Sequence, residues 1–191
     1  IRLMKQSGCY EISLAVESGD PETFERFVGK PFALDKAREV ARLARKHRIA
    51  TVGYFILGFP GEPFAQIERS MKFALDLKID YLSPFIYIPI PGSRLWDECL
   101  AGGLISEQYA FEESNNFFER NFNSEMFEIE KLYRLQARSY ITNLIKLPFR
   151  NPREFVAWYG RRLLTHPEFF RDFFTRLWRF RIMKKLGRKS V

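Results

Sequence analysis

The feature that most constrains the fold is an alternation of short apolar runs and amphipathic segments across the first ninety residues. Three runs have the length of strands: Glu11–Val16, Thr51–Leu57 and Tyr81–Ile88. Two segments between them, Leu34–His47 and Pro63–Leu77, carry apolar residues at helical spacing. A strand–helix–strand order favours parallel pairing through right-handed crossovers. The sequence therefore predicts an α/β fold with about three parallel strands.

A helical region is expected after Gly92. A short helix at Trp96–Leu100 and a polar, Asn-rich stretch at 106–125 come first. Three longer segments are then predicted as helices: Phe127–Leu147, about Pro152–Leu164, and Pro167–Met183. The predicted parts are 1–100 with the strands, 101–147 with a loop and a long helix, and 148–191 as a basic, aromatic, amphipathic helical tail.

The positive charge lies at the end of the chain. Residues 146–191 contain 13 basic and three acidic residues, whereas residues 1–145 contain 18 basic and 20 acidic residues. The net charge of +8 therefore describes the tail and not the α/β part.

Cysteine content and hydropathy point to a cytoplasmic protein. Cys9 and Cys99 are the two cysteines, and their spacing fits neither a metal motif nor a secreted disulfide framework. No apolar run approaches the roughly 18 to 20 residues that span a bilayer, and no signal peptide pattern is visible. Because the chain begins at Ile1, we expect a piece of a longer protein.

Three turn motifs follow the three predicted strands. They are Glu17-Ser18-Gly19, Gly58–Glu62 (GFPGE) and Pro89–Gly92 (PIPG). Parallel α/β folds place ligand sites at the carboxyl ends of their strands, and glycine lets the backbone turn sharply and approach a ligand closely. The motifs supply what a nucleoside needs, an apolar slot for a base and a carboxylate for a ribose diol.

Taken in order, these motifs resemble the second half of a radical S-adenosylmethionine (radical SAM) core. The similarity is carried by residues 7–19, 53–62 and 89–96, and it covers about residues 3–100. It is strongest to the subgroup with an N-terminal cobalamin-binding domain. The resemblance implies a partial (β/α) TIM-like barrel, followed here by an α-helical C-terminal region. It also implies an enzyme that binds S-adenosylmethionine and a [4Fe–4S] cluster, generates a 5′-deoxyadenosyl radical, and uses cobalamin for methyl transfer or cyclisation.

The resemblance assigns the polar contacts of S-adenosylmethionine to the first motif and its neighbourhood. Glu17 matches a ribose-contacting position at a strand end, with Ser18 beside it, and Lys30 matches a basic residue that meets the methionine carboxylate. From the residues alone, Glu17 could instead pair with Lys30 or Arg26, and Lys30 could be a solvated surface lysine.

The adenine contacts are assigned to the other two motifs. Ile56 and Gly58 match the motif that holds adenine, and Glu62 matches its acidic end. Tyr87 to Pro91 resembles the segment that closes over the base. Gly58 could also be a plain turn glycine, and Glu62 could serve the N-terminus of the next helix.

The sequence departs from this family by lacking CxxxCxxC, the motif that holds the cluster. The cluster ligands, the first barrel strands and any cobalamin domain would therefore belong to a missing N-terminal half, or the chain would be a degenerate relative of an active enzyme. In either case this chain alone would be inactive. The substrate cannot be identified from these residues.

The tail has three interpretations. Its apolar stripe could pack on the barrel as a helical lid. Its basic and aromatic residues at 148–191 could instead dock on the anionic inner face of a membrane or, less favoured, bind RNA. A non-catalytic scaffold that uses the tail in one of the last two ways is the alternative to an enzyme.

Overall fold

The computed structural model describes residues 1–30, 34–109 and 128–157. The chain divides into two compact units, Ile1–Lys146 and Leu147–Val191. The strands and the predicted site lie in the first unit. Of the second unit only residues 147–157 are described, so most of the predicted tail lies outside the described residues.

The first unit contains a three-stranded parallel sheet, which confirms the predicted pairing. The strands β1 (Glu11–Glu17), β2 (Ala50–Leu57) and β3 (Tyr81–Ile86) are arranged in the order β1-β2-β3. The register aligns Leu14 with Gly53 and Gly53 with Leu82. All three strands therefore end at one edge of the sheet, and among the described residues the sheet is open, as expected of a partial barrel.

The helices agree with the predicted segments to within a few residues. Asp20 caps the first turn after β1 by accepting from Thr23 N, and Gly29 ends that turn in the left-handed conformation. The helical elements are α1 (Arg2–Gln6), α2 (Pro21–Thr23), a π-helical turn (Phe24–Val28), α3 (Leu34–Lys46), α4 (Phe64–Asp76), α5 (Arg94–Ala101) and α6 (Ile129–Arg150).

Among the described residues, helices cover one face of the sheet, whereas the other face is only partly covered. On the covered face, Phe55, Leu57 and Ile86 are buried in a core with α3, α4 and α6. On the opposite face, side chains of β2 such as Tyr54 and Ile56 are half-buried, and Ala15 of β1 is exposed. The near-continuous apolar sequence of β2 is typical of strands buried on both faces. The open face therefore has the composition of a surface that another layer covers.

The strand prediction at β3 holds although Pro84 lies inside it. Pro84 pairs in register with Phe55, and β3 is an edge strand of the described sheet, where a missing N–H is tolerated. The carbonyl of Pro84 accepts a hydrogen bond from Gln136 Nε2 at 2.9 Å, and Asn143 Nδ2 donates to Asp80 O at 2.9 Å. The α6 helix thus supports β3 along its length.

The predicted end of the long helix is wrong. The sequence predicts a stop before Pro148, but α6 runs to Arg150 with Pro148 inside it. Pro148 lies in the last turn, so its missing N–H removes a single helical hydrogen bond close to the end.

Two further predictions lie partly outside the described residues. Residues 152–157 are helical, in agreement with the start of the predicted helix at Pro152. The rest of that helix, the helix at Pro167–Met183 and most of the 106–125 loop are not described. Within the described ranges, no helix is both long and apolar enough to cross a membrane.

Candidate nucleotide-binding site

The carboxyl end of β1 brings two predicted site residues together. Lys30 Nζ donates to Glu17 Oε1 at 2.8 Å and to the carbonyl of Ala15 at 2.7 Å. Both side chains are partly exposed, at 22% for Glu17 and 35% for Lys30. A carboxylate and an ammonium group thus lie side by side at the strand end, in the pairing that the residues alone left open.

Glu17 reaches this position through an unusual backbone conformation. The β1–β2 register shifts between Ala15 and Glu17, and Glu17 has a φ of 68°. The left-handed region costs a residue with a side chain about 1 kcal/mol or more. Such strain persists where surrounding contacts enforce it, and it is concentrated at functional sites. Here the register shift and the left-handed backbone accompany the contact of Glu17 with Lys30.

Ser18 lies away from this pair, in the core. It is fully buried, its Oγ accepts from Asp20 N at 3.2 Å, and it lies 3.5 Å from Ser70 Oγ. Gly19 N donates to the same Ser70 hydroxyl at 2.9 Å. The Ser18 hydroxyl therefore fixes the turn after β1 and is not at the surface beside Glu17. Its ribose contact stays a prediction.

Ile56 and Tyr87 meet in an apolar cluster at the same edge of the sheet. Phe59 stacks on Phe27 with ring centroids 5.0 Å apart and contacts the Tyr87 ring at 5.3 Å. Half-buried Ile56 packs against this cluster from the open face of β2. The cluster also includes Cys99, which is fully buried. Apolar side chains of this kind offer the contact that a purine base requires.

The turn after β2 is organised by Glu62. Gly58 has a φ of 80°, and the Glu62 Oε2 atom accepts from Gly58 N at 2.9 Å and from Phe59 N at 3.0 Å. Glu62 is 1% exposed. Burial raises the pKa of the Glu62 carboxyl to about 7, against the lowering effect of the backbone hydrogen bonds from Phe59 and Gly58. Glu62 thus holds the turn that the sequence assigns to adenine, and does more than face a helix N-terminus.

A polar network that the sequence did not reveal joins the first two turns. Asp20 Oδ2 accepts from Arg69 Nε at 2.6 Å, and the Asp20 side chain is fully buried. Thr23 Oγ1 bridges to Glu62 and to Gln66. One signal was available: Ser70 interrupts the apolar stripe of α4 at a buried position.

Pro91 is placed differently from the other predicted residues. It is exposed in the turn before α5, where Ser93 caps the helix by accepting from Trp96 N at 3.2 Å. No hydrogen bond or ring contact in the described part of the chain links Pro91 to Glu17 or Ile56. Its contact with the base stays a prediction.

The described residues do not offer a metal centre. They contain no group of three His, Cys, Asp or Glu side chains that could hold a metal ion. Cys9 Sγ donates to Glu11 O at 3.3 Å, and Cys99 is buried in the apolar cluster. A [4Fe–4S] cluster does not fit these residues.

A family model matches the part of the chain that contains the first two strands. The family model of the Radical SAM superfamily matches residues 1–74. Over this segment the chain is similar to the radical SAM superfamily. The matched segment contains β1, β2, the Glu17–Lys30 pair and the turn held by Glu62. The family match therefore covers most of the candidate site.

The curated relatives include methyltransferases. An uncharacterized methyltransferase of Pyrococcus horikoshii is 36% identical over 54% of this chain and 22% of its own length. The cytidylyl-2-hydroxyethylphosphonate methyltransferase of Streptomyces wedmorensis is 30% identical over 56% of this chain and 21% of its own length. The match thus spans about a fifth of either relative's length.

A solved structure also matches. It is the radical S-adenosylmethionine methyltransferase TsrM of Kitasatospora setae, with cobalamin and a [4Fe–4S] cluster bound. The TM-score is 0.48 at 17% identity, over 53% of this chain and 20% of that one. A likeness of this size does not by itself decide the fold.

Proposed function

We propose that this chain is the part of a radical SAM methyltransferase that binds S-adenosylmethionine at the carboxyl ends of β1–β3. One observation carries the proposal. The Glu17–Lys30 ion pair lies at the carboxyl end of β1, within the segment that the radical SAM family model matches. The methyltransferase class is supported by the two relatives of that description.

The chemistry of these residues fits the parts of S-adenosylmethionine. A carboxylate such as Glu17 accepts two hydrogen bonds from a ribose diol, and the Lys30 ammonium suits the methionine carboxylate. Ile56, beside the Phe59 and Tyr87 rings, offers the apolar contact for adenine. Because Lys30 now donates to Glu17, ligand binding would exchange this pair for two contacts with the ligand.

The rest of the active site would come from outside the described residues. Together with a [4Fe–4S] cluster, S-adenosylmethionine supplies radical or methyl-transfer chemistry; the cluster ligands would lie in other parts of the protein. The half-buried Tyr54 and Ile56 on the open face of the sheet are suited to contact with further barrel strands. Cobalamin use remains an expectation from the sequence resemblance. The substrate to be methylated is not specified by these residues.

The test is nucleotide binding by the intact protein after Glu17→Ala. Loss of charged hydrogen bonds should weaken S-adenosylmethionine binding by about ten- to a hundredfold in calorimetry. Glu11→Ala is the matched control, because Glu11 lies at the opposite end of the same strand, and it should leave affinity unchanged. Equal affinity of wild type and Glu17→Ala would remove Glu17 from the site.

A further inference from the structure

The hydroxyl of Thr23 lies between two oxygen acceptors. Thr23 Oγ1 is 3.0 Å from Glu62 Oε1 and 3.0 Å from Gln66 Oε1. A hydroxyl carries one proton and can donate only once. If Glu62 were a carboxylate, one of these two contacts would join oxygen atoms with no proton between them.

The orientation of the Gln66 amide does not relieve this conflict. Gln66 Nε2 donates to Glu22 Oε2 at 2.6 Å. Rotating the amide by half a turn would place its oxygen against the Glu22 carboxylate, where neither atom has a proton to donate. The amide nitrogen therefore faces Glu22, and the amide oxygen faces Thr23.

A proton on Glu62 satisfies every contact. We propose that Glu62 is a positioning residue that is protonated in the folded protein. Its proton sets the direction of a series of hydrogen bonds that runs through Thr23 to Gln66. Glu62 Oε1–H donates to Thr23 Oγ1, and the Thr23 hydroxyl donates to Gln66 Oε1. Gln66 Nε2 in turn donates to Glu22, so the series of hydrogen bonds ends at an exposed carboxylate.

The surrounding charges agree with a neutral Glu62. Asp20 is negative and fully buried nearby, and its partner Arg69 already donates to it at 2.6 Å. The Arg26 guanidinium, which would favour the ionised form, packs over the Phe27 ring at 4.7 Å, and its Nη2 is 3.8 Å from where a Cβ on Gly61 would stand. Glu22, the last acceptor in this series of hydrogen bonds, adds a second negative charge. Burial, the largest effect, raises the pKa of Glu62 to about 7.

The proton leaves the other oxygen of Glu62 free to organise the turn. Glu62 Oε2 accepts both Gly58 N and Phe59 N, which fixes the backbone directly after β2. Phe59 in turn stacks on Phe27 and contacts the Tyr87 ring at a tilt of 38°. That this turn holds adenine rests on the function proposed above, whereas the proton assignment stands on the contacts of this chain alone.

The direction of the pH dependence follows from the raised pKa. Below the ordinary pKa of 4.5, Glu62 is protonated whether the chain is folded or unfolded. As pH rises toward 7, the folded chain keeps a proton that the unfolded chain releases, so the stabilising contribution is progressively lost. The turn should be tightest in acid and loosen as pH passes through about 7.

The decisive experiment is a carboxyl titration by ¹³C NMR of the intact protein labelled at glutamate, with the Glu62 signal identified by its absence in Glu62→Gln. We expect a midpoint near 7 in the wild type. In Gln66→Leu the Thr23 hydroxyl becomes free to donate to an ionised Glu62, so the midpoint should fall by about one unit or more. An ordinary acidic midpoint in the wild type, or an unchanged midpoint in Gln66→Leu, would overturn the assignment.

Glu62→Gln should preserve the hydrogen bonds of the turn without a titrating proton. Its amide oxygen can accept from Gly58 and Phe59, and its NH₂ can donate to Thr23, as the protonated glutamate does. Hydrogen exchange of the Gly58 and Phe59 amides should match the wild type in acid and be slower than the wild type above pH 7. Faster exchange than the wild type at every pH would indicate an ionised cap and contradict the proposal. If these results hold and S-adenosylmethionine does not bind, the proposed function fails while the Glu62 assignment stands.

Discussion

At the scale of single residues, Glu62 shows how one buried carboxyl links turn geometry to stability. A pKa of about 7 against an ordinary 4.5 corresponds to at most about 3 kcal/mol of stability that is present in acid and lost above neutrality. We expect the free energy of unfolding of the wild type, relative to Glu62→Gln, to fall by up to this amount as pH rises from 4.5 through 7. Urea unfolding at a series of pH values measures it. A difference between the two proteins that grows with pH in favour of the wild type would contradict this sign.

Glu17 is the residue whose placement depended most on tertiary structure. Its pairing with Lys30 was one of the open alternatives in the sequence, but its left-handed backbone was not, because glutamate has no local preference for that region. The bulge that produces it comes from the register of β1 against β2, which no local pattern encodes. The sequence therefore offered the Glu17–Lys30 pairing as one alternative, but it did not predict the backbone conformation of Glu17.

At the scale of elements, the turn after β1 packs closely on α4, and this packing predicts how much stability two glycine substitutions cost. A Cβ on Gly19 would stand 2.5 Å from Phe73 Cβ, whereas a Cβ on Gly53 would stand 2.2 Å from the terminal methyl of Ile79. The Ile79 methyl can move by side-chain rotation, but Phe73 Cβ moves only with the α4 backbone. We therefore expect Gly19→Ala to cost about 2 to 3 kcal/mol and Gly53→Ala about 1 kcal/mol. Chemical denaturation gives both values, and the reverse order would show that α4 yields more readily than the core around Ile79.

Much of the element order followed from periodicity. Apolar runs predicted the three strands, and Asp20 with Pro21 predicted the helix start that the structure shows. What failed was the effect of Pro148, because a proline in a last turn breaks few hydrogen bonds. The Thr23–Glu62–Gln66 network was not predictable either, since its members come from two elements that meet only after folding.

At the scale of the whole molecule, two observations suggest that further parts of the protein complete the site. They are the partly covered face of the sheet and the match to only about a fifth of each relative's length. One face of the sheet is covered by helices, and the other exposes half-buried Tyr54 and Ile56. A complete nucleotide site would need groups on the open side as well. We therefore propose that this chain contributes one wall of the site and that the cluster ligands lie in other parts of the protein.

The basic tail at 148–191 carries the remaining prediction, since most of it lies outside the described residues. Membrane docking, one of the three interpretations of the tail, predicts that the protein sediments with anionic phosphatidylserine vesicles and not with neutral phosphatidylcholine vesicles, because each basic residue near an anionic surface contributes about 1 kcal/mol. Replacing Arg179, Arg181, Lys184 and Lys185 with glutamine should abolish sedimentation. RNA binding with a steep salt dependence would favour the nucleic-acid alternative, and binding to neither would leave the tail as a lid.

The most direct test of the central claim is S-adenosylmethionine binding by the intact protein after Ile56→Arg, measured by calorimetry. Ile56 borders the apolar cluster at the sheet edge, so a buried guanidinium there should reduce affinity at least about a hundredfold. Ile145→Arg is the matched control, because Ile145 is 61% exposed on α6, and it should bind as the wild type does. Affinity that is unchanged in Ile56→Arg, with the fold intact by circular dichroism, would contradict a nucleotide site at the ends of these strands.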